Sequence, residues 1–96
     1  MKFVQIVEFR TSRIDEMTAL GREYEEGGGG GGGTGMVCAD RDDPGRYLVI
    51  ATFEDYESAM ANSEDPRTQE LAGKMAELAD GPPRFHNLDL VDTIGG

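Results

Sequence analysis

The sequence predicts an α+β protein of the ferredoxin-like class, in the order βαββαβ, and three observations lead to that fold. First, Arg46 to Leu78, RYLVIATFEDYESAMANSEDPRTQELAGKMAEL, reads as an apolar strand running straight into a broken amphipathic helix. Second, the first thirty residues repeat the same strand-then-helix grammar. Third, each unit is followed by a further strand. Such a pattern builds an antiparallel four-stranded sheet with two helices on one face. At 96 residues there is room for one domain, taken as residues 1–96.

The first strand is predicted over residues 3–9. Phe3, Val7 and Phe9 point to one face with Gln5, and Val4 and Ile6 to the other with Glu8. A sheet with one wet face would alternate more cleanly, so both faces are expected to be covered. Ser12 then offers an N-cap, and Asp15 three residues later makes something close to a capping box. Ile14, Met17, Leu20 and Tyr24 follow on one stripe of a helix ending near Glu26. Arg13, Glu16, Arg22 and Glu23 take its wet side.

Residues 27–33 are seven consecutive glycines. A phosphate cradle is excluded, because no Lys-Ser/Thr follows and no helix opens there. The run is expected to neither pack nor cap, and to be an engineered linker or glycines standing in for unassigned residues, with a natural flexible loop as the alternative. A second strand over 36–39, a polar turn over 40–45 and a third strand over 47–53 read as a hairpin. Asp55 can cap a short helix carrying Tyr56, Ala59 and Met60, with Asn62-Ser63-Glu64 interrupting it. Asp65-Pro66 restarts the helix, with proline at its first position. Leu71, Met75 and Leu78 form the buried stripe, and Gly81-Pro82-Pro83 ends it. The last strand is predicted over 85–91, with His86, Leu88 and Leu90 on one face and Phe85, Asn87, Asp89 and Val91 on the other.

A formal net charge of −10 opposes the basic stripe that nucleic acid requires, and it disfavours adsorption to anionic lipid. No apolar run approaches the ~20 residues that span a bilayer, and MKFVQIVEF lacks the features of a signal peptide. A single cysteine, Cys38, excludes an internal disulfide. The expectation is a soluble cytoplasmic protein with neither nucleic-acid nor membrane partners. Asp40, Asp42 and Asp43 open like a calcium loop, but Pro44 breaks the spacing and the closing Glu is absent, leaving a solvated turn. No metal site is expected.

Residues 45–91, GRYLVIATFEDYESAMANSEDPRTQELAGKMAELADGPPRFHNLDLV, resemble the second half of proteins of the antibiotic-biosynthesis-monooxygenase type. MKFVQIVEFRTSRIDEM resembles their first half. The resemblance implies a dimeric α/β barrel, in which two copies pack their open sheet faces together as a homodimer. It also implies a ligand cavity within each subunit, between sheet and helices. The superfamily is functionally mixed. It includes cofactor-independent monooxygenases that oxidise anthrone or quinol-type aromatics with dioxygen, haem-degrading enzymes, isomerases and members without assigned activity. This chain lacks the tryptophan found around the substrate in the oxygenases. Its one histidine lies in the last strand, not on the helix where haem-degrading members carry their axial ligand.

With that resemblance, the expected function is a cofactor-independent monooxygenase acting on a phenolic or quinol-type small aromatic molecule. No cofactor is expected. The alternative is a small-ligand-binding or accessory protein of the same fold that does no chemistry. His86 is the natural general base, since its ordinary pKa lies near neutrality, and Arg84 and Asn87 beside it could steady an oxyanion. The plain alternative is a strand histidine at the dimer seam. Asn62, in the predicted helix break, could meet a ligand or cap the helix. Tyr24 and Tyr47 could line an aromatic pocket, or serve as core.

Overall fold

The computed structural model describes residues 1–30 and 33–95. Its elements are β1 (Phe3–Arg10), α1 (Ile14–Glu26), β2 (Thr34–Ala39), β3 (Arg46–Phe53), α2 (Tyr56–Glu64), α3 (Pro66–Leu78) and β4 (Arg84–Asp89). The strands form one sheet in the order β2-β3-β1-β4, with every neighbouring pair antiparallel. β1 and β2 therefore run the same way with β3 between them, the split βαβ arrangement expected of a ferredoxin-like α+β fold.

Which residues face the helices follows from one cluster. Phe3 and Phe53 are directly opposed across β1 and β3, and both are buried with Ala59 of α2. Ala51 and Met60 pack against them, and the Tyr56 ring meets Phe3 edge-on at 5.4 Å. With a side-chain period of two and an unbroken register, odd-numbered strand residues face the helices and even-numbered ones face away. Met17 of α1 completes the buried apolar set. The opposite face presents Val4, Ile6, Leu48 and Ile50, together with the exposed Met36 and Leu88. Apolar residues on both faces are thus observed, but only one face has helices over it.

Several boundaries differ from the sequence reading. The cap position of α1 is Arg13, not Ser12, and it makes no side-chain capping bond. Thr11 supplies the hydroxyl instead, accepting the Arg13 N–H at 2.9 Å and donating to the Leu78 carbonyl at 2.7 Å. Its own N–H reaches the Gly45 carbonyl at 3.0 Å, so the chain is pinned to the β2–β3 turn before the helix opens. Helix α2 continues through Asn62, Ser63 and Glu64, and the break is Asp65 alone, which is extended at φ −63° and ψ 128°. A residue before proline is pushed out of the helical region by the proline ring. The layer accordingly holds three helices rather than two, α2 and α3 being halves of the predicted broken one. β4 begins at Arg84 and ends at Asp89, where its partner β1 runs out at Phe3. A last bond from Leu90 N–H to the Lys2 carbonyl follows, and Val91 lies beyond it.

The glycine run also caps, contrary to expectation. Gly27, Gly28 and Gly29 donate to the carbonyls of Glu23, Glu25 and Tyr24 at 2.9–3.0 Å, satisfying the orphan acceptors of the last helical turn. Gly28 does so at φ +88°, a conformation that glycine adopts without strain. Residues 31 and 32, within the expected linker, lie outside the described residues.

Candidate functional site

Three helices contribute to a neutral hydrogen-bonded cluster. Tyr24 comes from the last turns of α1, Asn62 from the end of α2 and Thr68 from the first turn of α3. Tyr24 Oη donates to Asn62 Oδ1 at 3.0 Å and lies 2.6 Å from Thr68 Oγ1. Thr68 Oγ1 is also 3.4 Å from the same amide oxygen. Both hydroxyl oxygens thus lie within hydrogen-bonding distance of Oδ1. Its N–H2 group makes no hydrogen bond among the described residues.

The chain places these groups through the single-residue hinge between α2 and α3. Asp65 Oδ1 accepts the Arg67 N–H at 2.9 Å and so caps α3. Hydrogen bonds from the Arg67 side chain, chiefly, hold the Asp65 carboxyl below its ordinary value of 3.8. Arg67 also donates to the Gly27 carbonyl at 3.0 Å, tying the glycine run to the hinge. Leu20, Tyr24, Gly27, Arg67 and Leu71 border an open groove of about 230 Å³ between α1 and α3.

A second, charged chain lies on the opposite face of the sheet. His86 Nε2 is 3.0 Å from Glu8 Oε1, and the Arg46 guanidinium reaches that same oxygen at 3.1 Å. Arg46 also pairs with Asp40. The His86 hydrogen bond, then Arg46, keeps the Glu8 carboxyl below its ordinary value of 4.5. Asp40 is likewise lowered, first by the Asp42 N–H and then by Arg46. Arg84 stands directly across from Glu8 in the β1–β4 register. A carboxylate on one ring nitrogen is the arrangement that orients a histidine base, so this chain has the parts for proton transfer.

Of the residues expected to form the site, Tyr24 and Asn62 come together and His86 does not join them. Asn87 and His86 are neighbours in sequence, so they point to opposite faces of β4 and cannot serve one substrate from one side. His86 and Arg84 share the open face. Asn87 is on the helix-facing side, where its Oδ1 accepts from Gln5 Nε2 at 3.0 Å. Tyr47 shares that side and stacks on Phe9 with ring centroids 5.9 Å apart. Thr68, Gln5 and Glu8 were missed by the sequence reading. Glu8 carried a signal, being a charged residue inside an otherwise apolar strand. Thr68 carried none, since a threonine in the first turn of a helix is ordinary. Among the described residues, no cluster of His, Cys, Asp and Glu is arranged to hold a metal ion. No helix among them is long and apolar enough to cross a membrane.

The molecule is thus a ferredoxin-like α+β protein with a polar cluster in its helix layer and a charged chain on its open sheet face. No protein-family model matches the sequence, and no curated protein matches it. Solved structures do match. SnoaB, a cofactor-independent oxygenase from Streptomyces nogalater, superposes with a TM-score of 0.82 at 13% identity, covering 99% of this chain and 98% of that one. A protein solved as an antibiotic biosynthesis monooxygenase gives 0.73 at 19% identity, covering 96% of this chain and 100% of the other. Rv0793 from Mycobacterium tuberculosis gives 0.78 at 13% identity, covering 99% and 100%. The fold is that of the antibiotic biosynthesis monooxygenases. At these identities the likeness is one of fold.

Proposed function

We propose that this protein is a cofactor-independent monooxygenase acting on a small phenolic or quinol-type aromatic molecule. The observation that carries the reading is the Tyr24–Asn62–Thr68 cluster, in which the Tyr24 hydroxyl donates to the amide oxygen and the N–H2 group has no partner among the described residues. Such a group can donate to a phenolate or enolate oxygen, and charge developing there is where a fixed donor is worth most. The substrate anion then supplies the electrons itself. Conversion of a ring CH2 and O2 to a ring C=O and water balances without an outside reductant.

Likeness in fold to a cofactor-independent oxygenase supports this reading, and an asparagine-to-alanine variant of that protein has also been solved. We further propose that a second copy of this chain covers the open sheet face, where Val4, Ile6, Leu48 and Ile50 present an apolar surface. In that assembly His86 and Glu8 belong to the seam rather than to the substrate site.

The second reading is a ligand-binding protein without catalysis. It is favoured by the position of the one histidine, on the sheet face away from Asn62. Oxygen uptake with anthrones, quinols and catechols decides between the two readings. Uptake that collapses in Asn62→Ala and survives in His86→Ala is the expected result. Uptake that collapses only in His86→Ala would move the site to the open face. No uptake from any substrate, with thermal protection by one of them, would establish the binder.

A further inference from the structure

Gly29 sits so close to the Tyr24 ring that a Cβ built there would lie less than 3.0 Å from three of its atoms, Cδ1, Cε1 and Cζ. That is closer than real Cβ contacts, and an aromatic ring in a packed position cannot flex aside as a lysine tip would. The Gly29 N–H meanwhile donates to the Tyr24 carbonyl at 2.9 Å, so backbone and ring of one residue are both gripped from position 29. The Tyr24 hydroxyl is then shared between Thr68 Oγ1 at 2.6 Å and Asn62 Oδ1 at 3.0 Å. A tyrosine hydroxyl has one proton to donate. Only one assignment forms both of these shorter bonds together: Thr68 donates to Tyr24, and Tyr24 donates to Asn62.

We infer that Gly29 and Thr68 are positioning residues for Asn62. Gly29 provides the space in which the Tyr24 ring lies, and Thr68 directs the Tyr24 proton onto Asn62 Oδ1. The carboxamide is thereby held with both N–H donors available to a ligand oxygen. The run that the sequence presents as a featureless spacer is, at Gly29, part of the wall of the site. The purpose of the arrangement rests on the oxygenase reading, but the arrangement can be observed without it.

The test uses the full chain, labelled with 15N, and follows the side-chain N–H2 resonances of Asn62, assigned by their loss in Asn62→Ala. Thermal melts accompany every variant. Thr68→Val, Tyr24→Phe and Gly29→Ala are expected to move those resonances and speed their exchange with solvent. Thr68→Ser, which restores the hydroxyl, is expected to return them. Gly73→Ala, where an added Cβ meets nothing within 4 Å, is the control and leaves them unmoved.

With a turned-over substrate, Thr68→Val is expected to lower kcat by about 10- to 100-fold with KM little changed, as small misplacements of a catalytic group do. Rescue by Thr68→Ser separates this from a general loss of structure. Resonances unmoved by both Thr68→Val and Tyr24→Phe in folded protein would overturn the proposal. Unmoved resonances in Gly29→Ala alone would remove Gly29 from it. A wild-type protein that consumes no oxygen would refute the oxygenase reading, while the Asn62 resonances would still decide the positioning.

Discussion

The two faces of the sheet hold polar groups of opposite kinds. On the helix side, Tyr24, Asn62 and Thr68 are neutral and are joined by hydrogen bonds between three helices. On the open side, Glu8, Arg46, Asp40 and His86 are joined mainly by charge, and His86 is substantially exposed. Neutral groups can be half-buried at modest cost once each has its partner, whereas charges are retained where water or a counter-charge is at hand. In the proposed function the helix side is where a ligand is held, with the neutral cluster set beside the charged Asp65–Arg67 pair. The open side carries apolar residues at its centre and ion pairs toward one end.

The largest expected effect tests that contrast in function. Asn62→Ala should lower oxygen uptake by about 100-fold or more, the usual consequence of removing one oxyanion donor. His86→Ala should leave uptake within about 2-fold of the wild type. Equal losses in both variants would dissolve the distinction between the two faces.

Association provides the next test. Ile6 and Ile50 are directly opposed at the middle of the open face. Ile50→Lys should convert a dimer to a monomer in sedimentation velocity, since an unpaired charge at the centre of an interface is expensive to bury. A wild-type monomer at micromolar concentration would refute the covered-face proposal.

The third test concerns folding. Phe53 belongs to the buried cluster with Phe3 and Ala59. Phe53→Ala should cost about 3–5 kcal/mol in denaturant unfolding, through lost burial and the cavity left behind. A cost similar to that of Val91→Ala, at an exposed position beyond the last strand, would mean that the cluster on the helix side is not packed.

The smallest effect is in acid. Because the folded-state value of Glu8 is lowered, its contribution is present above its ordinary value of 4.5 and is lost as pH falls through the lowered one. Melting temperature should drop as the solution is acidified below 4.5, and Glu8→Gln should lower it slightly at neutral pH and shallow that drop, because the variant has already lost what the wild type loses in acid. An unchanged slope in the variant would assign the acid sensitivity to other carboxylates.

Much of this architecture could be read from residue order. Apolar runs in VQIVEF and in YLVIATF marked the strands, and Asp65-Pro66 marked the restart of the helix, because proline is tolerated at a first helical position and disfavours helix before it. The start of α1 was less legible. Ser12 is a good cap by type, but the side chain that serves is Thr11, which is fixed by the Leu78 carbonyl far along the chain. The site was legible only in part. Tyr24 and Asn62 were named separately, for an aromatic wall and for a helix break, and nothing local said that they touch.

What the sequence determined by itself was the local grammar: strand, helix, hairpin and stop, together with a strongly acidic composition and a single cysteine that cannot form an internal disulfide. Such features depend on φ and ψ preferences and side-chain periodicity over a few residues. Tertiary structure alone decided which strand face met the helices. Phe3 and Phe53 were captured by Ala59 on that side, and the period of two then sent Asn87 toward the helices and His86 away from them. Tertiary structure also brought Thr68 to Tyr24, since contacts between residues dozens of positions apart are set by how the layers pack and leave no trace in any short window of sequence.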